Sequence, residues 1–316
     1  MTAPVNKNAT KEARSLLQYL YETAGNKIIT GQHTQTVPME EISHIRKITG
    51  KEPKLRGFEL LSYSPNINFQ DASKACLTEI YENQNTMDTA IDWAKNNDGI
   101  VTLTFHWFSP LGGRDKSFFS EFTDFDAEKI LQPDTPERAA FYKDMDKIAE
   151  QLQRFQSEKI PVLWRPFHES EGTWFWWGAK GPETAAKLYK LMYNYYTSIH
   201  HLDNLLWVWN CPEKEGYPGD DYVDIISADI YLENREKTDY KKEYQKLINA
   251  TSKNKVAALA EIGYLPDIQM LEQSRIPWAY FMVWSKEFCI GERYNKTEDL
   301  KAAYHSKYAV TLQHRH

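Results

Sequence analysis

Eight short apolar runs recur along the chain, at residues 27–30, 53–60, 99–105, 160–164, 204–209, 222–228, 256–260 and 279–283. Each is nearly continuous in apolar residues rather than alternating with polar ones. A strand with one wet face would alternate, so these read as parallel strands covered on both sides. Between them the spacing turns helical. Phe141, Met145, Ile148, Leu152 and Phe155 step by 4, 3, 4 and 3, which lays one apolar stripe along a helix. Leu188, Met192, Tyr195 and Ile199 repeat the pattern after Pro182, a proline suited to a first helical turn. Further helices are expected over 11–23, 39–49, 87–97, 241–250 and 267–274. Eight strands alternating with helices in 316 residues predict one α/β domain over 1–316, a (β/α)8 TIM barrel with insertions. A two-domain doubly wound fold is the competitor, but no glycine-rich phosphate loop follows any early strand.

In such a barrel the chemistry gathers at the C-terminal ends of the strands. Just past the eight runs stand Gln32 and His33, Glu59, His106 with Trp107, Arg165 with His168 and Glu169, Asn210, Asp229 with Tyr231, Glu261, and Trp284. A single polar residue there is an ordinary cap or loop hydrogen bonder; one at every strand end is a candidate site. Glu169 ends the fourth run and Glu261 the seventh, so the two can face each other across the mouth. Two carboxyls flanking a bond are what glycoside hydrolysis requires, one to protonate the leaving oxygen and one to attack or to activate water. A salt-bridged glutamate pair is the bland alternative.

Aromatic residues make up 14% of the chain, including 10 Trp, which fits either a large core or stacking on flat ligands. Position separates the two uses. Trp93, Trp207 and Trp209 fall on expected core elements, whereas Trp107, Trp174, Trp176, Trp177 and Trp284 fall at strand ends near the two glutamates. The segment from Gly172 to Gly178 sets Trp174, Phe175, Trp176 and Trp177 side by side on an expected loop, where aromatic faces would stack on sugar rings. The net charge of -6 argues against a nucleic-acid or anionic-membrane surface. Cys76, Cys211 and Cys289 match no zinc or disulfide pattern. No apolar run reaches the ~18–20 residues of a membrane span, and the N-terminal Met1–Val5 stretch lacks the apolar core of a signal peptide.

Arg165-Pro166-Phe167-His168-Glu169, followed by Gly172-Thr173-Trp174-Phe175-Trp176-Trp177-Gly178, closely resembles the acid/base signature of glycoside hydrolase family 26. The shorter motifs Gly31-Gln32-His33, His106-Trp107, Asp229-Ile230-Tyr231, Glu261-Ile262-Gly263 and Trp284 extend the resemblance over most of the chain. The resemblance implies a retaining clan A barrel, with β-1,4-mannanase as its best-represented activity. It makes Glu169 the general acid/base and Glu261 the nucleophile. Glu169 then needs a raised pKa, from apolar neighbours such as Trp174 and from the second carboxylate. Glu261 needs donors, for which Tyr231, His168 and Arg165 are the candidates, and Asp229 joins them in the substrate-binding set. His106 and Trp107 are expected to line the subsite of the reacting sugar, Trp284 to form its stacking floor, and Trp174 to meet the leaving group.

Some positions depart from the family pattern. Glu171 adds a carboxylate beside the acid/base, Glu59 replaces an expected Asp, and Ser285-Lys286 follow Trp284 where a second glycone subsite would lie. The implied partner is a β-mannan polysaccharide or manno-oligosaccharide, hydrolysed without cofactor or metal by a monomer that is secreted, periplasmic or cell-surface. Cytoplasmic residence is the alternative where no signal has been removed. The competing functions are a β-1,3-xylanase or mixed-linkage β-glucanase with the same machinery, a non-catalytic sugar-binding barrel, and a metal-dependent hydrolase in which His33, His106 and His168 converge with Asp229. The 108–136 insertion is expected either to wall one end of the cleft or to be a plain surface loop.

Overall fold

The structure is a computed structural model that describes residues 3–312; Met1 and Thr2, from the N-terminal stretch read above, and residues 313–316 lie outside the described residues. Ten strands occur in chain order: β1 Ile28–Ile29, β2 Gly31–His33, β3 Leu55–Glu59, β4 Ile100–Thr104, β5 Val162–Arg165, β6 Leu205–Asn210, β7 Ile225–Ile230, β8 Val256–Ile262, β9 Trp278–Val283 and β10 Ala309–Val310. All named pairings are parallel. Sequential neighbours pair from β2 through β9, and β9 returns to β2, which closes the sheet into a barrel. The first stave is broken at Thr30 into β1 and β2, so the fourth and seventh staves are β5 and β8. The short β10, absent from the sequence reading, adds itself to β1 outside the closed ring.

The barrel has the expected two-sided burial. Leu55, Ile100, Leu163, Leu206, Val208 and Val256 fill its interior together with Ala13, Leu17 and Leu20 of helix α1 (Lys11–Thr23). Helix α1 precedes the first strand and carries its apolar stripe to the N-terminal end of the barrel, plugging that end. Thr10 caps it, its hydroxyl accepting from the Ala13 N–H at 3.2 Å. The remaining helices are α2 Glu40–Thr49, α3 Lys74–Glu82, α4 Thr86–Asn97, α5 Pro136–Ser157, α6 Pro182–Ser198, α7 Lys241–Ile248, α8 Ile268–Ser274 and α9 Thr297–His305. Both α5 and α6 open on the prolines at their first turns. Helix α3 escaped the sequence reading because its buried stripe is only Cys76 and Ile80, while Leu77 and Tyr81 put apolar groups on its exposed side.

One irregularity positions the chemistry. On β8, Ala258 points into the barrel and Leu259 outward, so strict alternation would turn Glu261 outward. The register with β7 slips there, with Ala228 opposite Leu259 but Asp229 opposite Glu261. This bulge inserts Ala260 as an extra residue and swings Glu261 into the mouth, the usual service of a bulge beside a functional site.

The three cysteines are free and buried. No helix among the described residues is long and apolar enough to cross a membrane.

Candidate active site

Four ionisable side chains meet at the C-terminal mouth. Arg165, the last residue of β5, is completely buried and points inward, two residues on from inward-facing Leu163. Its guanidinium donates to Asp229 Oδ2 at 2.8 Å, to Thr104 Oγ1 at 2.9 Å, and to Glu261 Oε1. The Tyr231 hydroxyl donates to the other Glu261 oxygen at 2.9 Å. Asp229 is held further by the Asn210 amide, 2.8 Å from its Oδ1.

Glu169 reaches the same place by a distorted route. The chain leaves β5 through Phe167 and Glu169, both in the left-handed region at φ 54° and φ 52°. Non-glycine residues adopt that conformation only where the surroundings over-determine it, and such strain gathers at functional sites. Here Asn210 Oδ1 accepts the Glu169 backbone N–H at 2.8 Å, and the Trp174 indole N–H donates to Glu169 Oε2 at 2.7 Å. Two glycines make the loop possible. A Cβ on Gly172 would stand 2.2 Å from the Trp174 ring, and one on Gly178 would stand 2.2 Å from the Gly172 carbonyl. Trp174 can therefore fold back over its own loop and present its indole edge to Glu169.

One carboxyl oxygen from each of Glu169, Asp229 and Glu261 lies within 4.8 Å of the others, near the ≈ 5–5.5 Å separation of retaining glycosidases. Three acids so close cannot all stay charged, and they titrate as a set. Burial raises Glu169 to about 7, and the charge of Asp229 adds to the shift. Burial raises Asp229 and Glu261 as well, against the pull of Arg165. Burial also opposes the charge of Arg165, but Asp229 and Glu261 outweigh it and raise its pKa. The set's proton belongs on Glu169, because Glu261 and Asp229 each hold a guanidinium bond while Glu169 accepts only from an indole. That division gives one carboxylic acid and one anchored carboxylate, the two states a double displacement needs.

Around this centre Glu59 is fully engaged. Its Oε1 accepts from the N–H groups of Leu60, Leu61 and His106 at 2.9, 3.0 and 2.8 Å, and its Oε2 lies 2.7 Å from His106 Nδ1. Burial opposes a charge on His106, but Glu59 outweighs it and raises the pKa. A protonated His106 donates from both nitrogens, to Glu59 and to His168 Nε2 at 3.2 Å. His168 is held neutral by burial and by the neighbouring cations. Trp284 stacks on His33 with ring centroids 3.9 Å apart, while the Gln32 amide donates to the Trp284 carbonyl at 3.0 Å.

Several aromatic expectations require correction. Trp107 does not line a sugar subsite: it is 2% exposed, stacked between Phe105 and Phe141, and its indole donates to buried Asp144 at 2.8 Å. Trp176 and Trp177 are fully buried, donating to the carbonyls of Trp107 and His168. In the Trp174–Trp177 run only Trp174, 46% exposed, offers a face to solvent. His168 is buried too and makes no bond to Glu261; it acts on the mouth through His106. Core packing therefore claims more of the tryptophans than their positions in the chain suggested. Asp144 and the α3 acids Glu79 and Glu82 went unnoticed in the sequence because they lie on helices, and Thr104 because it falls inside the apolar run 99–105 rather than past it.

The histidines do not form a ligand set with Asp229. Among the described residues, the cluster with metal-ligand spacing is Glu169, Asp229 and Glu261, and the Arg165 guanidinium already supplies its positive charge. A roomier groove of about 1130 Å³ opens at the other end of the barrel, but two of its three acids, Asp98 and Glu158, are exposed partners of Lys54 and Lys95.

Comparison with known proteins points the same way. Residues 5–314 match the pattern described as Glycosyl hydrolase family 26. A mannan endo-1,4-beta-mannosidase of Thermothelomyces thermophilus is 36% identical over 315 residues, spanning 97% of this chain and 62% of the relative. A mannan endo-1,4-beta-mannosidase A of Piromyces is 29% identical, and the chain spans 50% of its length. Among solved structures, the Podospora anserina GH26-CBM35 beta-(1,4)-mannanase superposes with a TM-score of 0.86 at 36% identity, covering 98% of this chain and 67% of that one. A beta-mannanase from a symbiotic protist of the termite Reticulitermes speratus, complexed with gluco-manno-oligosaccharide, gives 0.85 at 28% identity, covering 98% of this chain and 96% of that one.

Proposed function

Since the chain belongs to glycosyl hydrolase family 26, we propose that it hydrolyses β-1,4-mannosidic bonds of mannan-type polysaccharides with retention of configuration. The observation that carries this reading is the carboxyl set within 4.8 Å, in which Glu261 is bonded by Arg165 and Tyr231 while Glu169 accepts from the Trp174 indole. In the first step the Glu169 O–H protonates the glycosidic oxygen as a Glu261 oxygen attacks the anomeric carbon. The carbon–oxygen bond to the leaving sugar breaks, the leaving alcohol departs with the proton, and a glycosyl ester forms on Glu261. In the second step Glu169, now a carboxylate, takes a proton from water. The water oxygen attacks the anomeric carbon, the Glu261 ester breaks, and both glutamates return to their starting states.

Other residues serve these two. Asp229 keeps Arg165 oriented toward Glu261, and Trp174 holds Glu169 on the leaving-group side while offering its ring to that sugar. Trp284 and His106 bound the reacting sugar. No cofactor enters either step. Residues 1–316 act as one catalytic unit and as a monomer. A polymeric substrate places that unit with the polymer, so we infer a secreted, periplasmic or cell-surface enzyme.

The test is turnover on three polysaccharides. Activity on β-mannan, with little on lichenan or β-1,3-xylan, is expected; turnover of either rival polymer and none of mannan would overturn the substrate while leaving the carboxyl chemistry in place. Binding of all three without turnover would instead mark a sugar-binding barrel.

A further inference from the structure

Trp174 follows β5, whereas a pocket of about 200 Å³ lies at the ends of β2, β3, β4 and β9, floored by His33, Glu59, His106 and Trp284. That volume is below the ≈ 300–1,000 Å³ of pockets that take drug-sized ligands, so it admits only a short piece of a sugar chain. Two ion pairs stand around it. Lys116 Nζ lies 2.5 Å from Glu79 Oε1, and Lys286 Nζ lies 2.8 Å from Glu82 Oε2. The two glutamates come from α3, Lys116 from the 108–136 insertion, and Lys286 from the segment after β9.

These pairs are built in rather than loosely solvated. The Lys116, Glu79 and Glu82 side chains are 18%, 32% and 16% exposed and that of Lys286 is 40% exposed, and Glu82 also accepts from the Gln35 amide at 3.0 Å. Lys286 is held in the left-handed region at φ 56°, its backbone N–H donating to fully buried Glu41 at 3.0 Å. The insertion is clamped to the acid/base loop. Ser120 N–H donates to the Trp174 carbonyl at 2.7 Å, Trp176 N–H donates to the Phe118 carbonyl at 3.1 Å, and Phe119 stacks on Phe175 at 5.4 Å. Glu82 and Lys286 are thus each tied by a second bond, and the insertion carrying Lys116 is clamped, so the rim does not depend on the weak energy of an ion pair alone.

We propose that the Lys116–Glu79 and Lys286–Glu82 bridges close the glycone side of the cleft, limiting the sugar units held beyond the scissile bond and so the length of the non-reducing-end product. This rests on the mannan reading above. Glu169 protonates the leaving oxygen from the Trp174 side, so the glycone lies toward the pocket, and its chain runs into the two bridges. The insertion then acts as an end wall rather than a plain surface loop.

The experiment is to map which bonds are cut in mannohexaose labelled at its reducing end. Wild type is expected to cut the first or second bond from the non-reducing end. The Lys116→Ala/Lys286→Ala variant is expected to move cutting inward, with at least a threefold rise in the share of longer glycone products. A charge-swapped Lys116→Glu/Glu79→Lys variant, which can rebuild one bridge, should fall back toward the wild-type pattern. Thermal unfolding of all three proteins checks that they are folded. An unchanged pattern in the alanine variant, or cutting in mid-chain by wild type, would overturn the wall and leave the mannan reading standing. Wild type inert on mannohexaose would overturn the mannan reading and the wall with it.

Discussion

Glu261→Ala is expected to lose about 10⁶-fold in kcat on mannan, the scale on which removing the nucleophile acts in other covalent hydrolases. The truncation leaves a carboxylate-sized space beside a buried guanidinium that keeps Asp229 as its remaining acidic partner, with the Tyr231 hydroxyl also facing that space. A small external anion such as azide fits that space and charge. Adding it should restore part of the turnover and give a glycosyl azide of inverted, α configuration, because one displacement then replaces two. Full residual activity would remove Glu261 from the chemistry. Failure of rescue with retained configuration in the residual product would place the nucleophile on another side chain, with Asp229 the nearest.

Glu169→Ala should slow oligosaccharide cleavage by ~10²–10⁴-fold, the usual share of a general acid–base. The loss should shrink for an aryl mannoside whose phenol leaves without protonation, since only the first step needs the acid strongly. The pH profile distinguishes this role from a structural one. Glu169 works protonated and its pKa is raised to about 7, by burial first and by Asp229 next. Wild-type kcat/KM should therefore fall as pH rises through about 7, and fall again toward acid pH as Glu261, itself raised by burial, takes up a proton. In the variant, with the aryl substrate, that basic limb should vanish. If it persists, the titrating group is another, and Glu171, also raised to about 7 by burial and two residues away, is the one to replace next.

Much of the barrel was legible in the chain. A parallel strand covered on both faces must be apolar throughout, so the eight runs announced the staves, and α5 kept its 3.6-residue stripe. In α6 the buried face runs through Leu188, Tyr189, Met192 and Tyr196 instead, leaving Ile199 62% exposed beyond the helix end. Catalytic candidates were legible for a topological reason: in this fold every strand's C-terminal end opens on one mouth. What stayed hidden depended on contacts that sequence spacing does not encode. The bulge at Ala260 decides whether Glu261 faces in or out, and nothing in Ala258-Leu259-Ala260-Glu261 marks it. Trp107, Trp176 and Trp177 sit at strand ends yet turn into the core, because buried Asp144 and backbone carbonyls supply acceptors for their indoles. Helix α3 has too short a buried stripe to read, and with it went the acids of the glycone wall. Tyr231, by contrast, is 41% exposed and still reaches Glu261 through its hydroxyl, as the motif order suggested.

The central claim is a double displacement through Glu261, and the configuration of the first-formed product tests it most directly. Proton NMR of manno-oligosaccharide cleavage, recorded before mutarotation, should show the new reducing end appearing as the β anomer, with the α anomer growing in later. First appearance of the α anomer would mean a single inverting displacement by water, and the assignment of Glu261 as nucleophile would fall.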